Sequence, residues 1–141
     1  MTDIEKAIEN LDGHTICLCK GDDIITDDGK GISPMMKFIA TGKDLSGYSA
    51  ADMIVGKAAA MLFVKAGIEA VHGKVMSNAG KAYLESKGIA CTFDTLAENI
   101  IDRSGKDICP MEKTVSAIDD PEKGYEALKA KIAQMRSKKG E

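Results

Sequence analysis

Apolar residues return at every third or fourth position near the start of the chain, at Ile4, Ala7, Ile8 and Leu11, before Gly13 ends the run. That spacing predicts a helix, and Thr2 with Glu5 places a capping-box pattern ahead of it. From His14 the pattern turns to alternation. HTICLCK and DIIT read as two short strands joined through GDD, a hairpin. SPMMKFIATG follows as a helix with Ser33 as N-cap, Pro34 at the first helical position and Gly42 as terminator. The run from Ser49 to Ala66 is apolar almost all round. It predicts one central helix buried against several partners, with Ser49 as cap and Asp52 three residues later. EAVHGKVM is then a strand, SNAGKAYLESKG a helix capped by Ser77 and ended by Gly88, and IACTF another strand. Thr95 and Glu98 repeat the capping pattern, so DTLAENIID reads as a short helix and RSGKD as a loop. Cys109 precedes Pro110, which suits the first position of a further helix, with Glu112 at its third. Asp120 and Pro121 open an amphipathic C-terminal helix, about 121–137, whose apolar stripe is Tyr125, Leu128, Ile132 and Met135.

A hairpin followed by alternating helices and strands predicts an α/β fold, a mixed central sheet with helices on its faces. The length of 141 residues suits a single domain over 1–141. A net charge of -3 creates no field toward nucleic acid or anionic membrane. Aromatics at 4% with no Trp argue against stacking platforms for single strands. Lys129, Lys131, Arg136, Lys138 and Lys139 read as the solvated face of the last helix. Asp52, Gly56, Lys57 and Lys65 interrupt the longest apolar run, so it is no membrane span. MTDIEKAIEN is acidic and lacks an apolar signal core. These features predict a cytoplasmic protein with reduced thiols and no nucleic-acid or membrane partner, and leave a homo-oligomer open.

The four cysteines, Cys17, Cys19, Cys91 and Cys109, form no C-x-x-C pair and match no usual zinc spacing. Cys17 and Cys19 would share one side of a strand, as packing residues. DDIITDDG lacks the alternating oxygen ligands of a calcium loop, and GKDLSG is not a P-loop. No metal and no cofactor is predicted.

Three strings carry a resemblance: SGYSAADMIVGKAAA at 46–60, GISP at 31–34 and CPME at 109–112. With the element order, they resemble an uncharacterised prokaryotic domain-of-unknown-function family that has a cytidine-deaminase-like fold without the zinc ligands. The resemblance spans roughly residues 3 to 118. It implies a three-layer α-β-α cytidine-deaminase-like domain with its pocket at the starts of the central and following helices. The residues agree about zinc. Deamination by zinc hydroxide needs H-x-E at one helix start and P-C-x-x-C at the next. Here the starts read SAADMI and SNAGKA, and His14 and His72 are followed by TI and GK.

In that architecture Ser46, Gly47, Tyr48 and Ser49 at one helix start are candidate ligand-binding residues, as are Ser77 and Asn78 at the next. Unpaired N–H groups at helix N-termini favour an anion. Glu112 joins this set. Asp52 is a candidate catalytic carboxylate, or a capping residue. Lys57 stands among apolar neighbours, as a base, an amine nucleophile or a counter-charge to ligand, or as a stem that snorkels to water. Cys109 is a candidate catalytic thiol, since a helix N-terminus favours thiolate, while Glu112 opposes that effect. No base is assigned to it; His14 or His72 would have to approach through the fold. The expected function is an enzyme of unknown reaction on a small, nucleotide-like or anionic ligand, with Cys109, Lys57 and Asp52 catalytic. The alternative is a non-catalytic small-molecule sensor or binding module on the same fold.

Overall fold

Thr2 and Glu5 close the expected capping box: the Glu5 N–H donates to the Thr2 hydroxyl at 3.2 Å and the Thr2 N–H to the Glu5 carboxylate at 3.1 Å. The helix they start, α1 (Asp3–Asn10), opens a computed structural model that describes residues 1–102, 105 and 107–139. β1 (Ile16–Lys20) and β2 (Asp23–Asp27) form the hairpin, in antiparallel register from Ile16 opposite Asp27 to Lys20 opposite Asp23. α2 (Ser33–Ala40) begins one residue earlier than its sequence suggests. Ile32 is the cap, without a side-chain bond, and Ser33 is already helical.

The largest departure from the sequence reading lies in 49–66. This stretch is not one helix but β3 (Ser49–Val55), a break at Gly56, and α3 (Lys57–Ala66). β3 is the middle strand of five, and Ser49, Ala50, Ala51 and Asp52 are all buried. A strand covered on both faces shows no alternation, and a short apolar run of that kind cannot be told from a buried helix by period alone. After it come β4 (Ala70–Ser77), α4 (Asn78–Ser86) and β5 (Ala90–Ala97). Ser77 caps α4 as expected, its hydroxyl accepting the Gly80 N–H at 3.0 Å. The helix expected over DTLAENIID is absent. β5 runs on through Ala97 because Thr95, Leu96 and Ala97 continue the ladder with Val75, Met76 and Ser77. The loop expected over RSGKD lies partly outside the described residues. α5 (Pro110–Val115) has Cys109 as its N-cap, and α6 (Pro121–Lys139) follows.

The sheet order is β2-β1-β3-β4-β5. β1 is antiparallel to both its neighbours, and β3, β4 and β5 are parallel. One face carries the row Cys17, Ala51, His72, Thr92 and the other Leu18, Ala50, Val71, Cys91. α1 covers the first face, where Ala7 and Leu11 pack on Cys17, Cys19 and Ala51. The larger core occupies the second face, where Met61, Leu62 and Phe63 of α3 are fully buried with Leu18 and Val71. The fold is thus an α/β mixed sheet with helices on both sides. α6 is tied to α3 by the Lys65–Glu122 ion pair at 2.5 Å and by Lys65 over the Tyr125 ring, and Leu128 is fully buried. No helix among the described residues is long and apolar enough to cross a membrane.

Candidate functional site

The parallel strands β3 and β4 end at Val55 and Ser77, and open α/β sheets place their ligands beyond the carboxyl ends of such strands. A groove of about 1150 Å³ lies there. Its walls come from the end of β3, the starts of α2 and α3, the Ile100–Asp102 segment, the start of α5 and one stripe of α6. Met53, Ile54, Ile101 and Met135 are among the exposed large apolar side chains of the chain, and all four line it. Exposed apolar residues gathered in one concave place make this groove the candidate site.

Asp52 is the polar group set into this wall. It stands in β3 between Ile16 of β1 and Gly73 of β4, and is 6% exposed. Its Oδ1 accepts the Ile54 N–H at 3.4 Å. Burial pushes its carboxyl up to about 7, against the lowering effect of the Ile54 and Met53 N–H groups. A carboxyl of that kind holds and releases a proton near neutrality.

Glu112 takes the start of α3. Its two oxygens accept the Lys57 N–H at 2.7 Å and the Ala58 N–H at 2.8 Å, donors that the helix itself leaves unpaired. Burial raises its carboxyl while these two bonds and the Lys57 charge hold it down. Gly56 makes room for it, since a Cβ there would lie inside contact distance of the carboxylate. Gly80 closes the other side: a Cβ on it would meet the Val55 carbonyl oxygen at 2.9 Å and Gly56 backbone at 3.0 Å. Beyond Glu112 lies a second cavity of about 550 Å³, which Lys57, Ser77, Tyr83 and Lys113 help to line.

The residues singled out in the sequence do not gather in one place. Asp52, Cys109 and Glu112 come together in the groove. Cys109 is half-buried, with its N–H on the Ile100 carbonyl at 2.9 Å. Lys57 and Ser77 line the smaller cavity instead, with Glu112 as the shared wall. Lys57 is not set in an apolar helix face: it is the first residue of α3, half-buried, and its ammonium donates to the Ser116 carbonyl at 3.2 Å. Asn78 is exposed and lines neither. Ser46, Gly47, Tyr48 and Ser49 sit at the opposite end of β3, since they lead into a strand and not a helix. There the Tyr48 hydroxyl donates to Asp23 and the Gly47 N–H to the Gly67 carbonyl. Neither histidine lines the groove. His14 meets Asp28, and His72 meets Thr92 and Asp94 on the α1 face of the sheet. Among the described residues no group of three or more His, Cys, Asp or Glu is placed to hold a metal ion.

Sequence reasoning missed the groove side of α6. Tyr125, Lys129, Ile132, Ala133 and Arg136 all line the groove, at intervals of four, three, one and three residues that keep them on one helix face. Lys129 and Arg136 therefore face the groove, whereas Lys131 bonds Gln134 outside it. The interval was legible; what it faced was not. The side chains of Lys138 and Lys139 lie outside the described residues.

A family model described as TM1506: Domain of unknown function (DUF1893) matches residues 4–132. No curated protein matches the chain. Among solved structures, a crystal structure of a DUF1893 family protein (TM1506) from Thermotoga maritima is similar, with a TM-score of 0.84 at 25% identity over 93% of this chain and 91% of that one.

Proposed function

The chain belongs to the DUF1893 family, and for it we propose an enzyme that moves a proton on a small organic ligand held in the groove. The observation that carries this is Asp52, a carboxyl buried in an apolar wall and pushed up to about 7. As carboxylate it takes a proton from the ligand and becomes neutral; as acid it returns the proton, and no other reactant is consumed. Cys109 lines the same groove and contacts the ligand, without a nucleophilic role, because neither histidine is there to take its proton. Lys57 faces the second cavity and leaves the catalytic set.

The cytidine-deaminase-like reading is supported by the strand order, with β1 antiparallel to the rest and helices on both faces. Within it, the starts of α2 and α3 at the groove offer Ser33 and Gly56–Lys57 and no thiol or imidazole, and the start of α5 adds the single thiol of Cys109. A zinc-hydroxide step is not part of the proposal. A second reading, a sensor without turnover, is favoured by Glu112, which already fills the N–H groups that a ligand anion would take.

A metabolite thermal-shift screen followed by hydrogen exchange in D2O separates the two. The enzyme reading expects a bound ligand whose C–H or N–H exchange is accelerated by wild type and not by Asp52→Asn. A ligand that stabilises both proteins and exchanges at the same rate in each returns the chain to the sensor class.

A further inference from the structure

The groove carries unspent positive charge as well as apolar surface. Lys30, Lys129 and Arg136 line it, and none has a carboxylate partner among the described residues. Lys37, the fourth cation of the lining, is paired with Asp27. Against them stand Asp52, Asp102 and Glu112, of which Glu112 spends both oxygens on the first N–H groups of α3. Lys129 and Arg136 are two turns apart on the same face of α6, about 10 Å along the axis. Ile132 and Ala133 lie between them along the helix and line the groove together with Met53 and Ile54. The alternation cation, apolar, cation along one wall is therefore matched to a molecule with two kinds of surface.

The geometry points to an amphipathic organic anion as the ligand of this groove: a soluble molecule with an apolar body and one phosphate, sulfate or carboxylate head, the head held by Lys129 and Arg136. This rests on the groove being the ligand site proposed above and names its ligand class. The apolar body lies along Met53, Ile54 and Ile132, which are incompletely covered without it. The head stays at the rim, where two exposed cations meet it without burying an unpaired charge. α6 becomes the element that selects the ligand.

Titration calorimetry with octyl phosphate, octanol and inorganic phosphate tests this in the full chain. Wild type is expected to bind octyl phosphate at least about tenfold more tightly than octanol, with inorganic phosphate a poor competitor. In Lys129→Gln/Arg136→Gln the preference for the charged head should vanish while octanol binding and melting temperature stay as in wild type. Both residues are exposed, so the exchange leaves the core intact. Lys131→Gln, off the groove face, should keep the full preference. Equal affinity for octanol and octyl phosphate in wild type would overturn the inference, as would a preference that survives in the double variant. Cosedimentation with phosphatidylglycerol vesicles without binding of octyl phosphate would overturn it in favour of a membrane surface. The measurement reads binding alone, so a catalytically silent Asp52 leaves it standing, and a lost head-group preference leaves proton transfer at Asp52 untouched.

Discussion

At the scale of single residues, Asp52 sets a cost that depends on pH. Burial raises its carboxyl from the ordinary 3.8 to about 7. Between those values the folded chain keeps a proton that the unfolded chain has released, so stability falls as pH rises through that window. The full effect is on the order of 4 kcal/mol. Asp52→Asn keeps the shape and cannot ionise. The variant should match wild type at pH 4 and melt several degrees higher at pH 8. Glu112 is raised as well, and because both proteins carry it, its effect cancels in the comparison. Parallel melting curves from pH 4 to pH 8 would mean that Asp52 is not the group that titrates. The sequence pointed to Asp52 for another reason, as a carboxylate in the first turn of a helix. The residue was legible and its setting was not, because burial in a central strand is a property of neighbours that lie far off in the chain.

At the scale of elements, the break at Gly56 makes the site. A continuous helix from 49 to 66 would have no N-terminus at Lys57 for Glu112 to bind. Gly56→Ala should push the Glu112 carboxylate off the two N–H groups and cost about 2–4 kcal/mol, the range for two charge-assisted bonds lost in a partly buried place. In a Glu112→Ala background the same exchange should cost far less, and denaturant titration of the four proteins gives the coupling. Independent costs would show that the glycine is needed for the chain path and not for the carboxylate. The break could be read only weakly. Ile54 and Val55 are β-branched and Gly56 follows them, but the alanines on both sides suit a helix equally well. The end of β5 misled in the same way: Thr95 and Glu98 imitate a cap where no apolar stripe follows. Where caps, turns and periodicity agreed, as in α1, the hairpin and α4, the reading and the fold coincide.

At the scale of the whole molecule, the two faces of the sheet differ in what they hold. Cys17 and Cys19 lie under α1 with no exposed surface, 3.8 Å apart, and burial pushes the Cys17 thiol up to about 12. Cys91 and Cys109 belong to the other side and are half-buried. Alkylation of the native protein at pH 8, followed by mass spectrometry, should label Cys91 and Cys109 first and reach the other two only when α1 or the whole chain opens. Early labelling of Cys17 would place the opening of α1 far below global unfolding. The α/β class was legible because it depends on element order. The groove was not, because its lining is drawn from Thr15 to Arg136 and only the assembled sheet brings those positions together. The tie between Glu112 and α3 has a consequence for how the chain is made. The carboxylate reaches back 55 residues to Lys57 and 54 to Ala58. At ordinary rates of synthesis a ribosome adds that length in roughly 3–11 s. Through that interval the emerging α3 has its first donors open to water, and the strands behind it form against a helix whose start is unfinished. The last third of the chain therefore completes a groove begun in the first half, and a nascent chain halted before residue 112 would have the sheet with that groove unfinished.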